Sequence, residues 1–312
     1  MQSKNQKALL WISLAIIAAS IEPIVVKLGY AGNITPAELL VVKNITGAIL
    51  IVPMTWSFVK LRWIGWKNVQ KILAVALLLL CTNTLTLFAL QSISAVLMIT
   101  IITTTPALVA LMNERIGRDV LAPTFWLGFL LCFLGVIMGL NFGDITFSTM
   151  GLVMIFGAVI SSTCYRVQME TTTAEFPPAL VSTYTFLING LITLLFIAPF
   201  VGMPKEASYG IGTWIGLAAA AANVAFLYAL NLVGSTRISL LNMLQRPAMV
   251  VAAAVVLHEP LTWQTIVGIL LATVGIQLAK VTKRVHKDEI LPATDSVSVA
   301  GETELGCDKL KQ

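Results

Sequence analysis

From Ile72 to Asn113 the chain carries no charged side chain, and five more such runs follow: Val120 to Gly143, Ile145 to Tyr165, Phe176 to Pro204, Ala207 to Thr236 and Pro260 to Ala279. Each holds one or two helices of about 20 residues, the length that crosses about 30 Å of hydrocarbon. Only 11% of the residues are charged, whereas soluble domains carry about 25%. No water-soluble fold accommodates so many long apolar runs. A transmembrane β-barrel alternates apolar and polar residues in segments of about ten, and these runs are continuous. The chain therefore reads as an all-α polytopic protein embedded in a lipid bilayer.

Turn signals such as "YAGNITP", "NFGD", "EFPP" and "VGMPKEASYG" divide the runs. The expected spans are 9–28, 36–58, 72–90, 93–112, 121–141, 148–168, 178–200, 209–231, 237–257 and 260–280. Lys4 and Lys7 precede the first run, as they would in a signal peptide. That run continues to about Leu28 without a small-x-small cleavage site, so it reads as an uncleaved span.

Lys and Arg gather on the cytoplasmic side of membrane proteins. With the N-terminus inside, Lys205 is the one basic residue in an outer loop; Lys27, Lys43 and Arg246 lie within spans, and all others fall on the inner side. The bias implies a multi-pass protein of the cell (inner) membrane with both termini cytoplasmic, and it accounts for the basic balance without nucleic acid as a partner. Trp11, Trp56, Trp126, Trp214 and Trp263 fall near span ends, where amphipathic rings prefer the interface. Cys81, Cys132, Cys164 and Cys307 show no metal or redox spacing, and no cofactor is implied. Residues 285–312 are polar and of mixed charge, without a helical stripe. They read as a disordered cytoplasmic tail.

The chain also repeats itself. "TLFALQSIS" from Thr86 resembles "FLYALNLVG" from Phe226. At an offset of 140, Asn83 meets Asn223, Phe88 meets Tyr228, Asp119 meets Glu259, Gly128 meets Gly268 and Gly135 meets Gly275; Pro36 meets Pro178 at an offset of 142. Two halves follow, residues 1–144 and 145–284, each with five spans. Because five is odd, the second half enters the membrane inverted, an arrangement typical of alternating-access transporters.

The stretches "LFALQSISAVLMITIITTTPALVALM" and "LYALNLVGSTRISLLNMLQRPAMVVAAAVVLHEPLTWQTIVGILLATVGIQL" resemble EamA domains of the drug/metabolite transporter superfamily. "HEPL" before the last helix fits the pattern, whereas "GRDVL" in the first half departs from it. The resemblance covers nearly the whole chain except the tail. It implies ten transmembrane helices around a central cavity and a small-molecule substrate, which it does not name. It also places Lys43 at a commonly basic position of the second helix; Glu22 matches no family position.

Glu22 lies about 9 Å from the outer end of its span and Lys43 about 10 Å from the outer end of the next, at 1.5 Å per residue. Antiparallel neighbours joined by a short loop usually touch, so the two charges are placed to pair. An isolated charge at mid-membrane costs at least about 2.5–3.5 kcal/mol on insertion scales. Two readings stand: a static pair that fixes helix packing, or a Glu22 that faces the cavity as counter-ion or proton acceptor. Arg246 falls near the midplane, with Asn242 one turn earlier on the same face. Lys43 and Arg246 against Glu22 favour a substrate with an anionic group. Arg246 bonded to a backbone carbonyl beside Pro247 is the structural alternative.

Thr82, Asn83 and Thr86 form a polar stripe on the third span, and Asn223 and Tyr228 are placed similarly on the eighth. Such residues either bind a solute or join helices. Ser161, Ser162 and Tyr165 are secondary candidates, and Thr103 to Thr105 before Pro106 are suited to satisfy backbone groups at a kink.

The substrate-binding set expected from sequence is thus Glu22, Lys43, Thr82, Asn83, Thr86, Asn223, Tyr228, Asn242 and Arg246. The function it fits is a secondary transporter of a small organic metabolite, such as an amino acid or organic acid, working by alternating access as a monomer or homodimer. A channel-like facilitator or an integral membrane enzyme is the alternative. With only His258 and His286 and no aspartate-rich motif, the chain reads as a non-enzyme, and no G-x-x-x-x-G-K-[ST] loop supports an ATP-driven pump.

The charge bias sets an expected topology. A reporter fused after Lys287 is cytoplasmic, and a cysteine placed at Ala207 reacts with an impermeant reagent added outside. Outside exposure of the C-terminus defeats the ten-span arrangement.

Overall fold

The structure, a computed structural model, describes residues 2–56, 65–139, 148–202, 204–233, 249–250, 252–258, 262–278 and 281–283. It is almost wholly helical: α1 (Gln2–Ala31), α2 (Pro36–Thr55), α3 (Trp66–Ser92), α4 (Ala95–Ile102), α5 (Thr105–Arg115), α6 (Phe125–Gly139), α7 (Thr149–Glu175), α8 (Pro178–Ile192), α9 (Ala198–Val201), α10 (Glu206–Val233) and α11 (Trp263–Leu278). Residues 252–257 form a further helical piece. Five stretches are long and apolar enough to cross a membrane: Pro36–Thr55, Trp66–Ser92, Ala95–Arg115, Thr149–Glu175 and Pro178–Val201. Phe125–Met138 and Trp263–Gly275 are apolar but shorter.

Local chemistry sets the helix boundaries. Thr35 caps α2 through a reciprocal box: its hydroxyl accepts from the Glu38 amide, and the Glu38 carboxylate accepts from the Thr35 amide at 2.8 Å. This satisfies two amides that the first turn leaves free. Ser94 caps α4 and Ser148 caps α7 by the same acceptance, from Leu97 N and Gly151 N. The stretch expected as one span over 93–112 breaks between α4 and α5. Pro106 lacks an N–H and its ring crowds the carbonyl one turn back. The hydroxyls of Thr103, Thr104 and Thr105 donate to the carbonyls of Ile99, Ile101 and Ile102, each at 2.7 Å. Between α8 and α9 the helix widens into a π turn, Thr193–Ile197, and Ala198 N–H reaches back five residues to Thr193 O. Pro199 explains the widening, because its ring would collide with the Leu195 carbonyl in a regular α turn.

The outer surface is apolar. Leu127, Leu130, Phe133, Val153, Phe156, Ile160, Leu195 and Phe196 are all exposed, as are Trp56, Trp126, Trp214 and Trp263 near helix ends. An apolar exterior of this extent is unsuited to water and suited to lipid. Inside, small residues let backbones approach. A Cβ on Gly216 would sit 2.8 Å from the Lys43 carbonyl, so α10 packs tightly against α2.

Helix directions follow from the contacts. Asn44 meets Thr193 while Thr55 meets Thr183, so α2 and α8 run antiparallel. Gly151 packs on Ile93 while Lys71 pairs with Glu175, so α3 and α7 are antiparallel as well. Gly135 lies on Gly268 and Ala272, whereas Gly275 lies on Gly128 and Cys132. Helices α6 and α11 are therefore antiparallel, and an exchange of residues 140 apart maps this contact onto itself. The neighbour pattern obeys the same exchange: α1 packs on α10 as α7 packs on α3.

Polar ties mark the two ends of the bundle. At one end Lys205 Nζ donates to Asn33 O at 2.8 Å, and its amide donates to the Glu38 carboxylate. At the other, Lys71 pairs with Glu175, Asn113 donates to Glu170, and Arg118 donates to Thr171 and the Val167 carbonyl. The second end also departs from an all-helical reading. Asp119–Leu121 and Val281–Lys283 form a two-stranded antiparallel ribbon, with Asp119 opposite Lys283. Both segments emerge beyond their helices at one end, where β-branched Val120, Val281 and Thr282 favour extended pairing.

The glycine contacts generate a test. At Gly135 a Cβ would meet Ala272 N at 2.8 Å, and at Gly275 it would meet Gly128 O at 2.6 Å. Backbone cannot step aside there, so Gly135→Ala and Gly275→Ala each cost about 1–3 kcal/mol. Gly210 has nothing within 4 Å of its would-be Cβ, and Gly210→Ala is neutral or stabilising by up to about 1 kcal/mol. Thermal unfolding in detergent distinguishes the three.

Candidate functional site

A cavity of about 260 Å³ lies between six helices. Helix α1 contributes Glu22; α2 contributes Lys43 and Asn44; α3 contributes Leu79 and Asn83. From the second half come Tyr165 on α7, Phe186 and Asn189 on α8, and Ala219, Ala222 and Asn223 on α10. Asn83 and Asn223, related by the offset of 140, thus line the same cavity.

Its one ion pair, among the described residues, joins Lys43 Nζ to the Glu22 carboxylate. Lys43 is buried, with 7% of its side chain exposed, and Glu22 opens further, at 33%. Asn83 Oδ1 accepts a second, longer bond from Lys43 Nζ at 3.4 Å. A buried ammonium needs such partners, because removing it from water costs several kcal/mol. Pro23 follows Glu22 inside α1 and leaves the carbonyl one turn back without its helical donor. Packing fixes the backbone of Lys43: Gly216 of α10 approaches its carbonyl, and the Phe186 ring sits over Gly47 one turn along. Asn44 is held from its own side, donating through Nδ2 to Thr193 Oγ1 at 3.0 Å. That hydroxyl belongs to the π turn, so the irregularity caused by Pro199 also positions a cavity residue.

Two lining residues carry a side-chain oxygen that lacks a partner. Asn189 Oδ1 and Asn223 Oδ1 are buried and make no hydrogen bond. Among the described residues no three His, Cys, Asp or Glu side chains gather to hold a metal.

Of the residues expected from sequence, Glu22, Lys43, Asn83 and Asn223 come together here. Thr82 and Thr86 do not line the cavity. A helix turns about 100° per residue, which carries Thr82 away from Asn83 and onto α7. There Thr82 Oγ1 lies 3.1 Å from Ser161 Oγ, and the two hydroxyls reach the Leu78 carbonyl at 2.8 and 2.9 Å. The side chain of Tyr228, and all of Asn242 and Arg246, lie outside the described residues. Sequence reasoning missed Asn44, Phe186 and Asn189. Asn44 and Asn189 did carry a signal, a carboxamide inside an apolar span, but nothing in the sequence tells which neighbour it faces.

Residues 6–140 and 149–280 each match the EamA-like transporter family. No curated protein sequence matches the chain. A crystal structure of another protein superposes with a TM-score of 0.56 over 86% of this chain and 97% of that one, at 15% identity. At that identity the likeness shows a shared fold.

The ion pair has a double-mutant signature. Glu22→Gln leaves Lys43 buried without its counter-ion and lowers stability by about 2–4 kcal/mol. Glu22→Gln with Lys43→Gln recovers most of that loss in thermal unfolding. An equal loss in single and double variants shows that the two side chains are uncoupled.

Proposed function

Because the chain belongs to the EamA-like transporter family, we propose that it is a secondary transporter that carries a small organic solute through the cavity between its halves. The observation that carries this reading is the cavity itself. A polar, partly charged space enclosed by α1, α2, α3, α7, α8 and α10 is costly inside a membrane protein and serves as a place for a hydrophilic solute.

The proposed architecture has ten spans: α1, α2, α3, α4 with α5, α6, α7, α8 with α9, α10, the segment 237–257, and α11. Residues 1–144 and 145–284 form its two inverted repeats, and 285–312 the tail. Support comes from the chain of antiparallel contacts. Glu22 and Gly29 of α1 meet Lys43 and Leu39 of α2 in antiparallel order. Helix α2 opposes α8, and the short link at 176–177 turns α7 back on α8. Three reversals leave α7 opposed to α1, as inversion requires. The α6–α11 contact, which maps onto itself, supports a two-fold axis there. The end that gathers Lys71, Arg118 and Lys283 is assigned to the cytoplasm, and the Lys205 end to the outside of the cell membrane.

The mechanism follows from this geometry. Glu22, Lys43, Asn83, Asn189 and Asn223 form the solute site. The halves rock about it and expose it to one side at a time, as a monomer or homodimer, with no cofactor. In the Glu22–Lys43 pair the solute meets two charges that already neutralise each other, so a neutral solute loads without burying net charge.

Ala222→Cys tests alternation in a background lacking the four native cysteines. In proteoliposomes it reacts with an impermeant thiol reagent from either side, and transported solute shifts reactivity toward one side at the expense of the other. Solute flux saturates with concentration, and Lys43→Ala lowers it at least tenfold while still reaching the membrane. Simultaneous access from both sides with non-saturating flux marks a channel.

A further inference from the structure

Two residues of the cavity lining carry buried oxygens without a partner, and these constrain the chemistry of what fills it. Asn189 is 4% exposed, and its Oδ1, like that of Asn223, has no donor. A buried acceptor left unsatisfied costs about 1–3 kcal/mol, so two of them beside one cavity call for a ligand that supplies N–H or O–H groups. Two of the other polar side chains are engaged within the protein. Lys43 is held by Glu22 and Asn83, and Asn44 by Thr193. Two aromatic rings, Phe186 and Tyr165, complete the lining.

We propose that the solute is a planar, uncharged nitrogen heterocycle of the nucleobase kind, held edge-on by Asn189 and Asn223 and face-on by Phe186 or Tyr165. The proposal rests on the reading of this cavity as the solute site. A carboxamide presents an acceptor and a donor side by side. It matches a heterocycle edge that carries a ring nitrogen or carbonyl next to an N–H, the pairing by which asparagine reads adenine. A flat ring gains further from stacking on an aromatic side chain. The cavity, about 260 Å³, is smaller than the ~300–1,000 Å³ of drug-sized sites and suits a one- or two-ring molecule. Charged solutes fit the described residues less well. A carboxylate must take Lys43 from Glu22, which disrupts a buried pair, and an ammonium must sit beside Lys43 to share the Glu22 carboxylate, which sets two cations together. The sequence counts Arg246 as a further midplane cation; it lies outside the described residues, and a carboxylate arm of the test addresses it.

The full chain in lipid nanodiscs is titrated with adenine, hypoxanthine and uracil, and separately with glutamate, succinate and putrescine. Thermal shift and titration calorimetry are the readouts. At least one nucleobase raises the unfolding midpoint. Asn189→Leu and Asn223→Leu each weaken its binding tenfold or more, whereas Gly210→Ala leaves it unchanged. Without ligand both leucine variants unfold at or above the parent midpoint, because each removes an unsatisfied oxygen; this also checks that they fold. No shift with any nucleobase at millimolar concentration overturns the proposal. Stabilisation by a carboxylate or amine that Asn189→Leu abolishes overturns the heterocycle class and leaves the cavity as the solute site. Nucleobase binding indifferent to both leucine variants overturns the site as well as the proposal.

Discussion

Hydrocarbon offers no hydrogen bonds, so every backbone N–H and C=O within the membrane needs a partner in the protein. That constraint runs through the whole structure. It selects helices, and it explains what happens where helices falter. At Pro106 three threonine hydroxyls donate to carbonyls at the break between α4 and α5. At Pro199 the helix widens into a π turn rather than breaking. The same constraint acts on side chains. Lys43 is buried with a carboxylate and a carboxamide around it, and Thr82 and Ser161 share one carbonyl between α3 and α7.

Once helices form, lipid removes most of the hydrophobic drive to bring them together, and close backbone packing takes its place. The glycines do this work at defined points. Gly135 and Gly275 join α6 to α11, and Gly216 seats α10 beside Lys43. Gly190 admits Ala48 of α2 against α8. The last two contacts flank the cavity, so the packing that holds the halves together also sets the positions of Lys43, Asn44 and Asn189. A polar site in a membrane protein needs this precision, because a carboxamide displaced by 1 Å exchanges a hydrogen bond for an unsatisfied group.

The cavity combines fixed and free polar groups. Lys43, Glu22, Asn83 and Asn44 are tied to one another or to Thr193, which gives the first half a settled wall. Across from it Asn189 and Asn223 keep unpaired oxygens. The asymmetry is chemical, since the repeat places Asn83 and Asn223 at related positions: one asparagine answers Lys43, and its counterpart keeps an unpaired oxygen.

The sequence by itself determined the solvent, the element type and the repeat. Charge-free runs of such length have one stable form in lipid, and glycines and asparagines recurring at a fixed offset mark two related halves, which match one family. It also placed Glu22 and Lys43 at one depth, because two helices joined by a short loop leave little freedom. Tertiary structure decided what depends on rotation about helix axes and on non-neighbouring spans. Thr82 and Asn83 are adjacent in sequence, yet one joins α3 to α7 and the other faces the cavity. Asn44 and Asn189 lie in different halves and converge only through the packing of α2 on α8. The ribbon of Asp119–Leu121 with Val281–Lys283 likewise joins segments far apart in the chain. Periodicity fixes the local period of a helix, while its rotational phase against distant partners is set by which surfaces fit.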